Sequence, residues 1–265
     1  MVRINKEKVK KLAFLFTYLW LITTCCFYNI KHFKPLHLRP THVTVNTAII
    51  EKISNSTIAL VRPVTIRSTN RIVYTAYCAG VWIDEKTILT AYHCVHNSPV
   101  EEEKDLIDKK INFVTSQDAY SNNRYPKLAF KRIKPGTVIA VNRNYDLALL
   151  KADGYIGTHA VSKISKKRFK QGMPVHVMGH TAGLTYTYSS GTISNERILK
   201  TVIGTSPVEV VQISAPVWRG NSGGGAFDTN GELVGICSFI LRKVDSLAFF
   251  IHRDAIIEFI QDSKL

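Results

Sequence analysis

Thr87-Ile-Leu-Thr-Ala-Tyr-His93-Cys94-Val95 decides how this chain is read, together with two later stretches. These are Asn144-Tyr-Asp146-Leu-Ala-Leu-Leu150-Lys151 and Trp218-Arg-Gly220-Asn221-Ser222-Gly223-Gly224. The residue types fit nucleophilic catalysis. A serine hydroxyl is a weak nucleophile near neutral pH, so it needs a base within hydrogen-bond reach and a third group to fix the base's tautomer. His93 can be that base and Asp146 the orienting carboxylate. Asp146 borders the apolar run Leu147–Leu150, where a buried carboxylate requires a partner, and His93 supplies one. The glycines around Ser222 allow a tight turn that exposes the hydroxyl. They also let the N–H groups of Gly220 and Ser222 converge as an oxyanion hole.

Working outward, short runs rich in Val, Ile, Thr, Tyr and Phe recur from residue 57 onward, broken by Gly, Asn, Asp and Pro. They include Ile58–Arg67, Ile72–Ile83, Pro126–Ile133, Val138–Val141, Leu147–Lys151, Val175–Met178, Thr185–Ser194, Val208–Ser214, Leu233–Leu241 and Ala248–His252. No regular βαβ crossover separates them, so the body reads as an antiparallel all-β sandwich or barrel. Two stretches differ. Glu101–Lys110 is a mixed charge cluster, read as a solvated loop or short helix. Arg253–Leu265 carries Ala255, Ile256, Phe259 and Ile260 on one helical face, with Asp254 near its start, and reads as a C-terminal amphipathic helix.

The three segments resemble the trypsin/chymotrypsin-like serine peptidase superfamily, whose Ser-His-Asp triad is a general template for acyl transfer. Thr90-Ala91-Tyr92-His93-Cys94 is similar to the family's Thr-Ala-Ala-His-Cys. Asp146-Leu-Ala-Leu-Leu resembles its Asp-(Ile/Leu)-Ala-Leu strand, and Gly220-Asn-Ser222-Gly-Gly its Gly-Asp-Ser-Gly-Gly. The order His, Asp, Ser is the chymotrypsin order. The resemblance implies two six-stranded antiparallel β-barrels over residues 58–265. His93 and Asp146 would come from the first barrel and Ser222 from the second. It also implies a disulfide between Cys78 and Cys94. Cys237 has no evident partner and reads as a buried free thiol.

Departures from the family pattern carry information. Asn221 stands where the activated branch has an aspartate that pairs with a newly cut N-terminal amine. Arg71-Ile72-Val73 looks like an activation cut, but Ile72 lies too close to Cys78, so no zymogen cleavage is expected. Asn221 and the stretch Tyr188–Ser194 are nearer the HtrA (Deg) branch, here expected without a PDZ domain. The specificity pocket maps to Pro216 and Val217 on one wall, Ser238, Phe239 and Ile240 on the other, and Ala248 at the back. All are neutral, which implies a small or medium apolar side chain before the scissile bond. Fold alone does not fix function, and the alternative is a catalytically silent binding module on the same scaffold.

The remaining features place the chain. It has 265 residues, 45% hydrophobic and 21% charged, which is a globular composition. Five cysteines are too few for a disulfide-dense mini-protein. The net charge is +15, but eight of the basic residues fall within residues 1–40, so charge alone is poor evidence of nucleic-acid binding. Residues 1–11 are a basic tail. Leu12–Ile30 is an uncharged, largely apolar run that would span about 28 Å as a helix. It reads as an uncleaved signal anchor, with the body on the periplasmic, lumenal or extracellular side. Secretion after signal cleavage is the alternative. Residues 31–57 read as a stalk. The run Lys163, Lys166, Lys167, Arg168, Lys170 reads as a solvated loop, with anionic lipid as a second reading. His176, His180 and His252 lack metal-ligand spacing. Polypeptide substrates and membrane lipid through residues 12–30 are the expected partners, with no metal, cofactor or nucleic acid.

Overall fold

The computed structural model describes residues 46–96, 102–120, 132–155, 157–241 and 247–263. The basic tail and the expected anchor over 12–30 lie outside the described residues. Among those described, no helix is long and apolar enough to cross a membrane. The described residues belong to one compact unit.

Twelve strands among them close into two barrels of six antiparallel strands each. Barrel one holds β1 (Thr57–Ile66), β2 (Arg71–Trp82), β3 (Thr87–Thr90), β4 (Lys110–Thr115), β5 (Lys134–Asn142) and β6 (Leu147–Ala152). Barrel two holds β7 (Pro174–Gly179), β8 (Thr187–Lys200), β9 (Pro207–Ile213), β10 (Gly225–Phe227), β11 (Leu233–Ile240) and β12 (Ala248–His252). The helices are α1 (Thr47–Ser56), α2 (Tyr92–Val95), α3 (Ser116–Tyr120) and α4 (Arg253–Asp262), and the charge cluster contains a 3-10 turn, Glu103–Leu106.

The strands facing the second barrel are buried on both sides, and β6 shows why its sequence is continuously apolar. Side chains alternate across a strand. Ala148 and Leu150 enter the barrel-one core with Trp82, Ile88 and Phe113. Leu147 and Leu149 face the core between the barrels, with Phe227, Ile236 and Phe249. β12 repeats the pattern: Ala248 and Phe250 face the barrel-two core, Phe249 and Ile251 the shared one. Truncating any of these leucines to alanine is worth about 2–5 kcal/mol. The helix α4 lays Ala255, Ile256 and Phe259 on the shared core.

The stalk expected over 31–57 is corrected at its C-terminal end, where α1 occupies residues 47–56. Asn46 caps α1, its side chain accepting from the Ala48 N–H, and Ile53 is buried in the shared core. Three isoleucines in a polar stretch too short for sustained periodicity hid this helix. Near the end of α1, the Asn55 side-chain oxygen accepts from the Ser116 hydroxyl at 2.8 Å. The expected strand Pro126–Ile133 falls largely outside the described residues, and β5 begins just after it. In the basic run, Lys167 pairs with the buried Asp228 at 2.9 Å.

Candidate active site

Strand register brings His93 and Asp146 together. β3 pairs antiparallel with β6, Thr90 opposite Ala148. The chain leaving β3 therefore emerges beside the chain entering β6. His93 lies on the single turn α2 just past β3, and Asp146 just before β6. The Tyr92 N–H donates to the Asp146 carbonyl at 3.1 Å. The His93 N–H donates to Asp146 Oδ1 at 3.0 Å, and His93 Nδ1 lies 2.9 Å from Oδ2. A carboxylate only accepts, so Nδ1 carries the proton and the lone pair of the neutral ring sits on Nε2. Asp146 holds a left-handed backbone, φ 54°, in a turn closed by its own N–H on the Arg143 carbonyl. The residue is 1% exposed, so these hydrogen bonds replace the water of its carboxylate. Burial lowers the His93 pKa, but the charge of Asp146 and its hydrogen bond outweigh that, and the net shift is upward from 6.5.

A third donor reaches Asp146 from the other barrel. Ser238 Oγ donates to Oδ2 at 2.5 Å. Ser238 stood among the expected pocket walls, and a bulge explains its direction. In β11, Cys237 pairs with Phe250 and Phe239 with Phe249, which leaves Ser238 unpaired between them. An extra residue in one strand re-aims its side chain, here onto the carboxylate. The same bulge separates the other pocket candidates. Phe239 stacks on Phe249 with ring centroids 4.8 Å apart, in the shared core. Val217 and Ile240 pack with Ala248 on the barrel-two core. Pro216 is exposed, its carbonyl accepting from Ser189 Oγ at 2.8 Å.

Ser222 sits in a turn that the first barrel helps to hold. Its carbonyl accepts from the Ala79 N–H at 2.8 Å, while Gly223 N–H donates to the Cys237 carbonyl at 2.8 Å. Gly223 has φ 77°, and a Cβ there would lie 2.3 Å from the Ala79 oxygen. Its glycine identity thus lets the turn press against β2. Among the described residues, the half-buried Ser222 hydroxyl makes no hydrogen bond. In substrate-free sites the contact to the base is commonly long and tightens on binding. The Gly220 and Ser222 N–H groups likewise donate to no acceptor among the described residues.

The expected disulfide is present, Cys78–Cys94, with Cα atoms 6.0 Å apart. Cys237 is free and buried. Among the described residues, two groups of metal-ligand residue types lie close, and both have other uses. In Cys78, His93 and Cys94 the sulfurs are bonded to each other. In Glu209, His252 and Asp254, the His252 Nδ1 accepts the Asp254 N–H and caps α4, at a positive helix end that disfavours cations.

Residues 78–236 match the family model described as a trypsin-like peptidase domain. The chain belongs to that family. Its relatives include the serine protease PepD of Mycobacterium tuberculosis, 29% identical over 114 residues. A probable periplasmic serine endoprotease DegP-like of Pseudomonas fluorescens is 32% identical over 142 residues. These alignments cover 41% and 49% of this chain but only 25% and 29% of the relatives. Among solved structures, the HtrA-type protease AlgW with a decapeptide superposes with a TM-score of 0.64 at 17% identity, over 82% of this chain and 66% of that one. That likeness concerns the fold, and it agrees with the paired trypsin-like barrels found here.

Proposed function

We propose that this trypsin-like domain is a serine endopeptidase that cleaves polypeptides through an acyl-enzyme. The observation that carries the reading is the buried Asp146 carboxylate gripping His93 by both its backbone N–H and Nδ1. That grip serves no purpose for a surface imidazole, whereas it leaves Nε2 as a proton acceptor. Ser222 Oγ attacks the substrate carbonyl as His93 Nε2 takes its proton. The Gly220 and Ser222 N–H groups hold the tetrahedral oxyanion. His93 then protonates the leaving amine, and water repeats the sequence to free the acid. Asp146 stabilises the imidazolium throughout, with Ser238 holding the carboxylate. The neutral cluster of Val217, Ile240 and Ala248 favours a small or medium apolar side chain before the scissile bond. Such a pocket discriminates by only about 1–3 kcal/mol per methylene.

The apolar run over 12–30 supports a membrane tether with the protease domain on the non-cytoplasmic side. The Cys78–Cys94 disulfide suits an oxidising compartment. A fluorophosphonate probe on isolated membranes tests chemistry and location together. Labelling at Ser222, lost in Ser222→Ala, is expected. Unlabelled, folded wild type would instead mark a silent binding module on the protease scaffold.

A further inference from the structure

The oxyanion hole needs the Gly220 N–H turned toward the substrate, and this N–H belongs to the same planar unit as the Arg219 carbonyl. In a trans peptide the two point in opposite directions. Whatever pins the Arg219 oxygen therefore aims the Gly220 N–H. Here the Ala182 N–H pins it, at 2.8 Å. One residue further, Thr181 Oγ1 donates to the Asn221 Oδ1 at 3.0 Å. The turn after β7 thus grips the nucleophile loop on both sides of Gly220.

The surroundings are built for that grip. Asn221 is 1% exposed. A Cβ on Gly179 would lie 2.4 Å from Asn221 Oδ1, so glycine there makes room for the amide. A Cβ on Gly220, at φ 102°, would lie 2.1 Å from the His180 carbonyl oxygen. The His180 ring is itself fixed. Its Nε2–H donates to the Ile58 carbonyl of barrel one at 2.9 Å, and its Nδ1 accepts the Tyr186 N–H at 3.0 Å. Arg71-Ile72-Val73, the stretch resembling an activation cut, lies within β2 and pairs with β1.

We propose that Thr181 is a positioning residue: its hydroxyl, through Asn221, holds the nucleophile loop so that the Gly220 N–H stays aimed at the substrate carbonyl without any newly cut N-terminus. This rests on Ser222 being the nucleophile. An unpinned Arg219–Gly220 peptide can rotate and present a carbonyl to the oxyanion, which removes one donor and adds repulsion. The stabilisation acts in the transition state, so its loss falls on kcat rather than KM.

The test uses the full chain carrying Thr181→Val, Thr181→Ala or Thr181→Ser, with a peptide ester substrate and circular dichroism to check folding. The valine and alanine variants are expected to lose kcat by about tenfold or more with KM within about twofold. The serine variant should return kcat to within about threefold of wild type. A hydroxyl-less variant that keeps kcat within about twofold overturns the proposal, as does a serine variant no better than valine. If both hydroxyl-less variants fail to fold while serine folds and works, the hydroxyl is structural and the proposal falls. Wild type unlabelled by fluorophosphonate would defeat the peptidase reading itself, a separate outcome.

Discussion

The Ala79 N–H in the first barrel donates to the Ser222 carbonyl from the second at 2.8 Å. Ala79 follows Cys78, whose disulfide partner Cys94 follows His93. The candidate base and nucleophile, 129 residues apart in sequence, are thus joined by one disulfide, two peptide links and one hydrogen bond. Cys94 Sγ also lies 3.6 Å from the Ser222 carbonyl oxygen. Errors in the placement of either turn therefore propagate to the other.

Reduction of this disulfide should accordingly reach both stability and activity. It joins residues 16 apart. Closing a loop of that size restricts the unfolded chain by about 3 kcal/mol in the chain-entropy account. Burial pushes the Cys237 thiol up, so it supplies little thiolate for exchange. Denaturant unfolding with and without dithiothreitol should differ by about 2–4 kcal/mol, with a parallel fall in turnover. Overlapping curves would show that hydrogen bonds alone hold the two turns.

The pH dependence of turnover follows from His93. In the proposed mechanism the ring is active when neutral, and Asp146 holds its pKa above 6.5. The ratio kcat/KM should therefore rise with pH through an inflection above 6.5. Asp146→Asn removes the charge that raises it. That variant should lose activity by about three to four orders of magnitude and shift any residual inflection downward. A pH-rate profile with the inflection unmoved in Asp146→Asn would contradict this assignment.

Gly220→Ala should be far more damaging to catalysis than an alanine at another left-handed glycine. Its Cβ would meet the His180 carbonyl at 2.1 Å, whereas Gly172, at φ 82°, has nothing within 4 Å. Both variants carry the left-handed backbone cost of about 1–2 kcal/mol. Only Gly220→Ala displaces a proposed oxyanion donor, worth about 100- to 1000-fold in kcat. Comparable kcat in the two variants would remove Gly220 from the hole.

How much of this was legible in the sequence depended on range. The triad candidates stood in local motifs, and β6 announced itself as a continuous apolar run because both its faces are buried. The C-terminal helix showed its period. What was hidden depends on distant partners: Ser238 meets Asp146 across 92 residues, and His180 meets Ile58 across 122. No local pattern encodes such pairings. The bulge at Ser238 parts it from Phe239 and Ile240, expected together on one pocket wall, and β10, only three residues long, is too short to display a period.

Acid should loosen the molecule through His180. Full burial depresses its pKa from 6.5 to about 4, outweighing the hydrogen bond to the Ile58 carbonyl, which acts upward. The folded state resists a proton that the unfolded chain accepts. The stabilisation is thus complete above the unfolded value of 6.5 and is lost as pH falls toward about 4, a change of about 3 kcal/mol. His176, also lowered by burial, adds with the same sign. His93, being raised, contributes oppositely: its stabilisation is present below 6.5 and lost as pH rises through its folded value. Lys110 first among other contacts lowers Asp153, while Asp228 is lowered because Lys167 and backbone N–H groups outweigh its burial. These two carboxylates act only below their ordinary value of 3.8, beneath the histidine window. Unfolding free energies of wild type and His180→Gln, measured from pH 7 to 4.5, should converge as pH falls. A wild-type curve parallel to that of the variant across this interval would mean that His180 takes its proton without leaving its site.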